Sequence, residues 1–243
     1  MAAPAETVNR DSVDSLSARF ARTRRVSVDL VATLAPEDTV VQSMPDVSPT
    51  KWHLAHTTWF FERFVLESNV SGYRRFNEDY DFLFNSYYYT AGQMHARPKR
   101  GLLSRPTLAE VLEYRSHVDD HMMRLLDQRS GELELAGLVT LGVNHEQQHQ
   151  ELMLTDIKHV LSCNPLQPAF DSNLAVPGTR PLVGYSYIRG AAGVHQVGAT
   201  GESFRFDNET PRHDALLHEH QIGARLITNG EYLEFVTDGG YTN

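Results

Sequence analysis

Two histidines four residues apart, His145 and His149, are the residues of this chain whose type and spacing most directly suggest chemistry. They lie between Asn144 and Glu151, inside a segment with helical periodicity. Four residues apart on a helix, two imidazoles can reach one metal ion. The spacing therefore predicts part of a metal site, and Gln148 falls on the same side. The alternative is a polar helix face that carries two structural histidines.

The helix that holds this pair also has an apolar stripe. Its members are Leu138, Leu141, Leu152 and Ile157. Continued at 3.6 residues per turn, the stripe passes through both histidines, which predicts that they face the core. Glu146 and Glu151 point elsewhere, so we do not expect them to be metal ligands.

Two more histidines lie on a predicted helix that begins at Ser48 and Pro49, with the serine as N-cap and the proline in the first helical position. One side of this helix carries Trp52, His56 and Trp59, and a neighbouring side carries His53, Phe60 and Phe64. Both His53 and His56 therefore lie on apolar flanks. Periodicity does not choose which of them would complete a metal site.

Two further long helices are expected to complete the helical part. The first runs from Val13 to Leu34, and its solvent-facing side is predicted to carry Arg22, Arg24 and Arg25. Another begins with a capping box formed by Thr107 and Glu110. On that helix, His117 and His121 fall beside the apolar stripe, and we interpret them as rim histidines without a metal.

The connection from Gly72 to Pro106 is long enough to predict a functional loop. Its aromatic cluster, which indicates order, consists of Phe82, Phe84, Tyr87, Tyr88 and Tyr89. Arg97 and Arg100 follow in the sequence Arg-Pro-Lys-Arg. The planar fork of arginine suits a clamp for carboxylates, and the alternative is a solvated basic loop.

The helical pattern breaks at Pro165, so residues 1–165 are expected to form one domain and residues 166–184 a linker. Short strands are predicted at residues 185–190, 194–198 and 215–217, and a helix begins at Asn229. Residues 185–243 are too few to close a core. We therefore expect a second domain that is truncated.

Composition narrows the class of protein. The formal net charge is −9 and no long run of Lys or Arg is present, which argues against nucleic acid and anionic membranes as partners. The single cysteine, Cys163, excludes an internal disulfide, and no apolar run is long enough to span a bilayer. These features suit a cytoplasmic globular protein. Residues 1–10 are expected to be disordered.

Five groups of residues then occur in an order typical of one family. They are Ser48 to His56 with Trp59 to Glu62, Phe84 to Tyr88, Arg97 to Gly101, His145 to His149, and Phe206 to His213 with Thr228 to Tyr232. From about Val40 onward the chain resembles the ergothioneine-biosynthesis sulfoxide synthases (hercynylcysteine sulfoxide synthases). These are non-haem iron enzymes with a DinB-like helical bundle and a domain related to the formylglycine-generating enzyme.

The resemblance implies an α-helical four-helix bundle over residues 1–165. It also implies the beginning of an α+β domain like the formylglycine-generating enzyme over residues 185–243. Matched position by position, His56, His145 and His149 would bind iron(II). His53 would then be a packing residue or one that supports the ligands.

The resemblance also implies a reaction in which the thiol of gamma-glutamylcysteine, or of cysteine, is joined to the imidazole carbon of hercynine. Dioxygen is consumed and a sulfoxide forms. Arg97 and Arg100 would grip the carboxylates of the thiol substrate, and Gln148 would contact the hercynine carboxylate. An acidic, aromatic-rich pocket would suit the ammonium group of hercynine.

The family's catalytic tyrosine, a proton donor, belongs to the later part of the second domain, and Tyr232 and Tyr241 do not match it. We therefore expect no catalytic proton donor in this chain. Two alternatives remain. One is a metal-dependent thiol S-transferase or hydrolase of the DinB-like group, and the other is a metal-binding module without activity. The stretches from Phe206 and Thr228 onward argue against the transferase, because that group lacks such a second domain.

Overall fold

The computed structural model describes residues 15–86, 92–175, 178, 183–201 and 203–242. The chain divides into two compact units, Met1–Leu174 and Ala175–Asn243. The first unit is helical, and the second holds short strands and one helix. A mostly helical chain with a small C-terminal sheet region is thus confirmed. The predicted disorder of residues 1–10 and the tyrosines at 87–89 lie outside the described residues.

Helices dominate the first unit. They are α1 Leu16–Asp29, α2 Thr50–Phe60, α3 Glu67–Asn69, α4 Tyr80–Phe84, α5 Leu108–Arg129 and α6 Leu133–Cys163. A π-helical stretch, Phe61–Leu66, joins α2 to α3 without a break. A 3₁₀ helix, Arg97–Leu102, carries the two arginines of the predicted clamp. The long connection before α5 is therefore partly helical, since α4 and this 3₁₀ helix both lie within it.

The four longest of these helices, α1, α2, α5 and α6, share one core. Both α1 and α2 pack against α5 and α6. Trp59, Val118 and Val139 are among the buried side chains at the centre. At Gly142 of α6, a Cβ atom would lie 2.5 Å from the Phe61 ring. Because glycine has no Cβ atom, α6 can approach the segment that continues α2, and this brings the two histidine-bearing helices together.

The helix starts show where local sequence rules hold. Thr107 caps α5 by accepting from the Glu110 backbone N–H, and the Glu110 carboxylate accepts from the Thr107 backbone N–H, which confirms the capping box. The predicted start of α2 is wrong by one residue, because Pro49 is the N-cap and makes no side-chain capping bond. The Ser48 hydroxyl instead accepts a hydrogen bond of 2.9 Å from Arg100 Nη1.

The prediction for α1 needs two corrections. The helix ends at Asp29, and the chain continues to Leu34 in tighter turns such as the bond from the Leu34 N–H to the Val31 carbonyl. Arg24, predicted on the solvent-facing side, is only 3% exposed, whereas Arg22 and Arg25 are exposed as expected. Two acidic groups on other helices neutralise Arg24, and helical periodicity in α1 contains no information about them.

The second unit contains two antiparallel strand pairs and one helix. Strand β1 Tyr187–Arg189 pairs with β4 Gln221–Gly223, and β2 Gly193–Val197 pairs with β3 His213–Leu217. Helix α7, Asn229–Thr237, starts at a capping box between Thr228 and Glu231. The sequence predicted these elements except β4. None of the described side chains from 183 to 242 is buried.

The described part of the chain contains no helix that is both long and apolar enough to cross a bilayer.

Candidate metal centre

Three histidines from two helices converge in the first unit. The ring nitrogens of His56 on α2 and of His145 and His149 on α6 offer three donor atoms that lie within 4.8 Å of one another. The Nε2 atoms of His56 and His145 are 3.2 Å apart. The structure thus brings together the three residues that the sequence analysis named as metal ligands.

A backbone carbonyl fixes the orientation of His56. Its Nδ1–H donates to the Phe84 carbonyl oxygen over 2.6 Å, so a neutral ring leaves Nε2 without a proton and facing the cluster. The imidazole is stacked between Trp52 and Trp59, at centroid distances of 4.6 and 5.6 Å. Phe84 belongs to the aromatic loop predicted to be ordered, so part of that loop supports the candidate ligand.

His53 lies behind the cluster. Its Nδ1 is 2.8 Å from His149 Nδ1, and its Nε2 is 3.0 Å from Asp156 Oδ2. Both ring nitrogens are therefore engaged with protein groups, and His53 is not one of the three residues whose donor atoms converge. This arrangement separates His53 from His56, which periodicity alone could not do.

The electrostatics keep the three imidazoles neutral. Burial lowers the pKa of His145 to about 4. Burial, followed by the charge of neighbouring histidines, lowers the pKa of His56 and of His149 well below the usual value. Neutral imidazoles are the form that binds metal, because a protonated ring has no free lone pair.

The donor set fits a single ion. Two nitrogens that each lie about 2.1 Å from one ion are separated by roughly 3.0–3.4 Å, and the 3.2 Å between His56 and His145 falls in this range. Among the described residues, His145 Nδ1 is a buried atom without a hydrogen-bond partner. Three neutral imidazoles suit zinc, iron, copper or nickel, so the donor set predicts a metal but does not choose which.

A cavity of about 330 Å³ opens beside the cluster and contains the other predicted site residues. Arg97, Arg100 and Gln148 all line it, together with the three histidines. The remaining lining residues are Ser48, Trp52, His53, Ser86 and Leu152.

The cavity corrects the predicted apolar stripe of α6. Leu141 and Leu152 are 38% and 42% exposed, so they are not core positions. Ile157 is buried as predicted and Leu138 packs against the core, and the rest of the core side is formed by Leu135, Val139, Val143 and Met153. The histidines therefore face an open cavity rather than the core.

Arg100 is held as an ordered group at the cavity wall. Its side chain is buried, and Nη1 and Nη2 donate to the hydroxyls of Ser48 and Ser86 over 2.9 and 3.0 Å. The guanidinium carbon lies 3.4 Å from the centroid of the Trp52 ring. Arg97 is half-buried, and its Nη2 donates to the Asp46 carbonyl oxygen.

Two residues that the sequence analysis missed fix the segment with these arginines. Gln42 accepts from the Gly101 backbone N–H over 2.7 Å and donates to the Arg97 carbonyl over 2.9 Å. Lys51 on α2 donates to three carbonyl oxygens after the 3₁₀ helix, the shortest bond being 2.6 Å to Pro106. The available signal was a lysine in a helix that contains no other Lys, Arg, Asp or Glu.

The expectation of an acidic, aromatic-rich pocket is wrong for the residues that line this cavity in the described part of the chain. They include no carboxylate, two arginines and one aromatic side chain other than histidine, Trp52. The net charge of −9 is distributed elsewhere, because net charge describes the whole surface and not one cleft.

The opposite side of α6 holds a second polar cluster that the sequence analysis missed. Glu146 is fully buried, and its oxygens accept from Arg24 Nη1 at 2.9 Å, Arg115 Nη2 at 2.8 Å and the Ser27 hydroxyl at 2.6 Å. Burial by itself would raise the pKa of Glu146, but the two guanidinium groups and the hydrogen bonds lower it to about 2. This carboxylate is fully engaged away from the histidines.

The remaining histidine pair is separate from the centre. His117 and His121 on α5 are half-buried, with ring centroids 4.5 Å apart, and both pack near Tyr73. His121 Nδ1–H donates to the His117 carbonyl over 2.8 Å. They do not join the one metal-competent cluster found among the described residues.

The three histidines of this centre lie within the part of the chain that matches a known protein family. The sequence model of the DinB superfamily matches residues 19–153, which is more than half of the chain. The chain belongs to the DinB superfamily.

Three curated relatives are hercynine oxygenases. The protein of Mycolicibacterium smegmatis is 29% identical over 203 residues, which cover 82% of this chain and 45% of the relative. Those of Mycolicibacterium thermoresistibile and Mycobacterium tuberculosis are 26% and 28% identical, over 81% and 95% of this chain and 42% and 52% of the relatives. The chain thus spans about half the length of the curated relatives it matches, and the predicted family resemblance is confirmed.

Proposed function

We propose that this chain supplies the metal-binding part of an iron(II)- and dioxygen-dependent sulfoxide synthase. The reaction would join hercynine to gamma-glutamylcysteine, or to cysteine, through a new carbon–sulfur bond. The observation that carries the proposal is the convergence of His56, His145 and His149 at a cavity lined by two arginines. The names of the curated relatives support the substrate hercynine and an oxygenase reaction.

Iron(II), bound by the three imidazoles, would supply the redox chemistry that dioxygen requires. A neutral ring whose unprotonated Nε2 faces the cluster, as at His56, suits this role without any further proton loss. His56 contributes a ring already oriented by the Phe84 carbonyl, which reduces the reorganisation needed on binding.

The cavity wall would bind the substrates. Arg97 and Arg100 would hold the carboxylates of the thiol substrate, a role for which the fixed fork of Arg100 is suited. Gln148, exposed in the cavity beside His149, would donate to the carboxylate of hercynine. The substrate sulfur would then lie near the histidine cluster, because the same cavity contains both groups.

The proposal extends to the architecture. Residues 1–165 would form a DinB-like four-helix bundle, residues 166–184 a linker, and residues 185–243 part of a domain like the formylglycine-generating enzyme. The packing of α1, α2, α5 and α6 around one core supports the bundle. The strand pairs and the capped helix α7 support an α+β unit.

The test is iron stoichiometry and ligand binding in the full chain. We expect about one iron(II) per chain, lost in His56→Ala, His145→Ala and His149→Ala while helix content is kept. His117→Ala is the matched control, because His117 is a half-buried histidine outside the cluster. Gamma-glutamylcysteine should bind the iron-loaded protein, and hercynine-dependent oxygen uptake is measured in parallel.

Several outcomes would change the proposal. A wild-type chain without stoichiometric iron, or a His117→Ala variant as deficient as His56→Ala, would contradict the metal assignment. Zinc binding with thiol transfer and no oxygen uptake would favour the transferase alternative. We expect little sulfoxide product from this chain, since the resemblance places the proton donor elsewhere, and full turnover would instead place that donor within these residues.

A further inference from the structure

A chain of hydrogen bonds leads away from the candidate metal centre at His149. The Nδ1 atom of His149 lies 2.8 Å from Nδ1 of His53, and Nε2 of His53 lies 3.0 Å from Oδ2 of Asp156. His53 and Asp156 are 3% and 6% exposed. Water therefore has little access to the inner part of this chain, and each polar atom in it depends on its protein partner.

The protons in this chain can be placed by counting donors. The Asp156 carboxylate only accepts, so His53 carries its proton on Nε2. A neutral His53 then has a bare Nδ1 that accepts from His149 Nδ1–H. A neutral His149 with its proton on Nδ1 has a bare Nε2, which is the nitrogen required for a metal.

The carboxylate at the end of the chain is itself anchored. Asp156 Oδ2 also accepts from the Ser48 backbone N–H over 3.0 Å, at the start of α2. Asp156 and His149 are both on α6, seven residues apart, whereas His53 inserts between them from α2. The packing of the two helices therefore sets the geometry of the whole chain.

We propose that His53 and Asp156 are positioning residues that fix the tautomer and orientation of His149 for metal binding. The inference rests on the metal centre of the proposed function and deepens it. The other two histidines differ in their support. His56 uses a backbone carbonyl, and among the described residues His145 Nδ1 has no partner. The hydrogen-bonded chain from His149 through His53 to Asp156, called the relay below, consists of side chains, so mutation can remove it.

The arrangement also excludes His53 as a fourth ligand in this conformation. Its two ring nitrogens are both engaged, one with His149 and one with Asp156. Removing its side chain should therefore weaken metal binding without removing a donor atom from the ion. Losses of this indirect kind are typically about 10–100-fold in metal affinity.

The experiment measures zinc and cobalt affinity of the full chain by competition with a chelator. We expect His53→Ala to weaken binding about 10–100-fold and Asp156→Ala to weaken it less. His53→Asn should recover much of the loss, because its δ oxygen can accept from His149 Nδ1–H at the place of the imidazole Nδ1. His159→Ala is the matched control, since this half-buried histidine of α6 contacts Ser43 and stands outside the relay.

Two further readouts separate positioning from general loss of structure. The ring ¹⁵N spectrum of the zinc-loaded protein should show His149 protonated at Nδ1, and that proton should exchange faster with water in His53→Ala. In a double-mutant cycle, His53→Ala combined with Asp156→Ala should be no worse than His53→Ala alone, because both act through one chain. If His53→Ala does not fold, His53→Asn and Asp156→Ala carry the test.

Different failures point to different parts of the account. If the wild type binds metal and His53→Ala binds it equally well with an unchanged His149 spectrum, the relay is overturned and the proposed function stands. Additive losses in the cycle, or an His53→Asn variant no better than His53→Ala, would also overturn the relay. If the wild type binds no metal at all, the proposed function itself fails.

Discussion

His145 and Glu146 are adjacent in the chain, yet they lie on different faces of α6 and in opposite chemical surroundings. His145 faces two other imidazoles and a cavity, and its pKa is lowered to about 4 mainly by burial. Glu146 faces Arg24 and Arg115, which balance its charge inside the core. The donor nitrogens of the three imidazoles lie within 4.8 Å of one another, whereas the carboxylate is paired with two guanidinium groups.

This difference distinguishes a cluster suited to binding a metal ion from a cluster that stabilises the fold. The cluster around Glu146 pairs two cations with two anions, since Arg24 also donates to Asp119 over 2.6 Å. Such a set joins α1, α5 and α6 and balances its own charge. The histidine cluster brings together unprotonated nitrogens, which favours an added cation. In this H-E-x-x-H sequence the two histidines thus form a candidate metal-binding face, and the glutamate belongs to a structural ion-pair cluster on another face of α6.

The largest effect that tests this comparison should come from Glu146→Ala. Removing one partner of a buried ion pair leaves Arg24 and Arg115 with insufficient negative charge, and we expect a loss of about 3–5 kcal/mol in the free energy of unfolding. Urea denaturation measures it, with Glu146→Gln as the variant of equal size. At about pH 7, above the titration range of His145, His145→Ala should change the stability of the metal-free protein by less than about 1 kcal/mol. Equal losses in the two alanine variants would remove the distinction.

The stability of the metal-free protein should depend on pH in two separate ranges, one set by His145 and one by Glu146. The folded pKa of His145, about 4, is below its unfolded value of 6.5, so the unfolded chain takes up the proton first and stability falls as the pH drops from 6.5 to 4. The folded pKa of Glu146, about 2, is below 4.5, so its contribution is complete above pH 4.5 and is lost towards pH 2.

Each of these two differences between folded and unfolded pKa corresponds to about 3 kcal/mol in the free energy of unfolding. Urea denaturation at a series of pH values should show a smaller slope between pH 6.5 and 4 in His145→Ala. Glu146→Gln should show a smaller slope between pH 4.5 and 2. Identical slopes in the wild type and in either variant would contradict the corresponding assignment.

A smaller effect is expected at the cavity wall. Arg97→Ala and Arg100→Ala should each weaken gamma-glutamylcysteine binding by about 1.5–3 kcal/mol, roughly ten- to a hundredfold, and leave iron affinity unchanged. Calorimetric titration of the iron-loaded protein measures both. Arg100→Lys keeps the charge but loses the fork, so intermediate affinity would indicate that geometry contributes. Unchanged affinity in both alanine variants would exclude the clamp.

The smallest expected effect is at Gln148. Because a neutral hydrogen bond contributes about 0.5–1.5 kcal/mol, Gln148→Ala should weaken hercynine binding roughly two- to tenfold. Gln147 is exposed on the same helix but does not line the cavity, so Gln147→Ala is the matched control. If the two variants bind hercynine equally well, the assignment of Gln148 fails.

Local rules predicted those features of the protein that depend on neighbours in the sequence. The capping box at Thr107 depends on residues three apart, and the shared face of His145 and His149 on residues four apart. The short strands and the start of α7 near Asn229 follow from similar local patterns. The resemblance then supplied the third histidine, His56, which the residues of α2 could not identify.

Tertiary packing decided the rest, because each remaining feature depends on a partner distant in the chain. Every residue of α2 is buried, so no exposed face distinguished His53 from His56. The contacts decide between them, because both ring nitrogens of His53 are engaged, whereas Nε2 of His56 belongs to the converging donor set. Arg24 is buried because Glu146, 122 residues away, neutralises it. His149 is oriented by His53, 96 residues away. Contacts between residues so far apart produce no repeating pattern in the sequence, so helical periodicity cannot predict them.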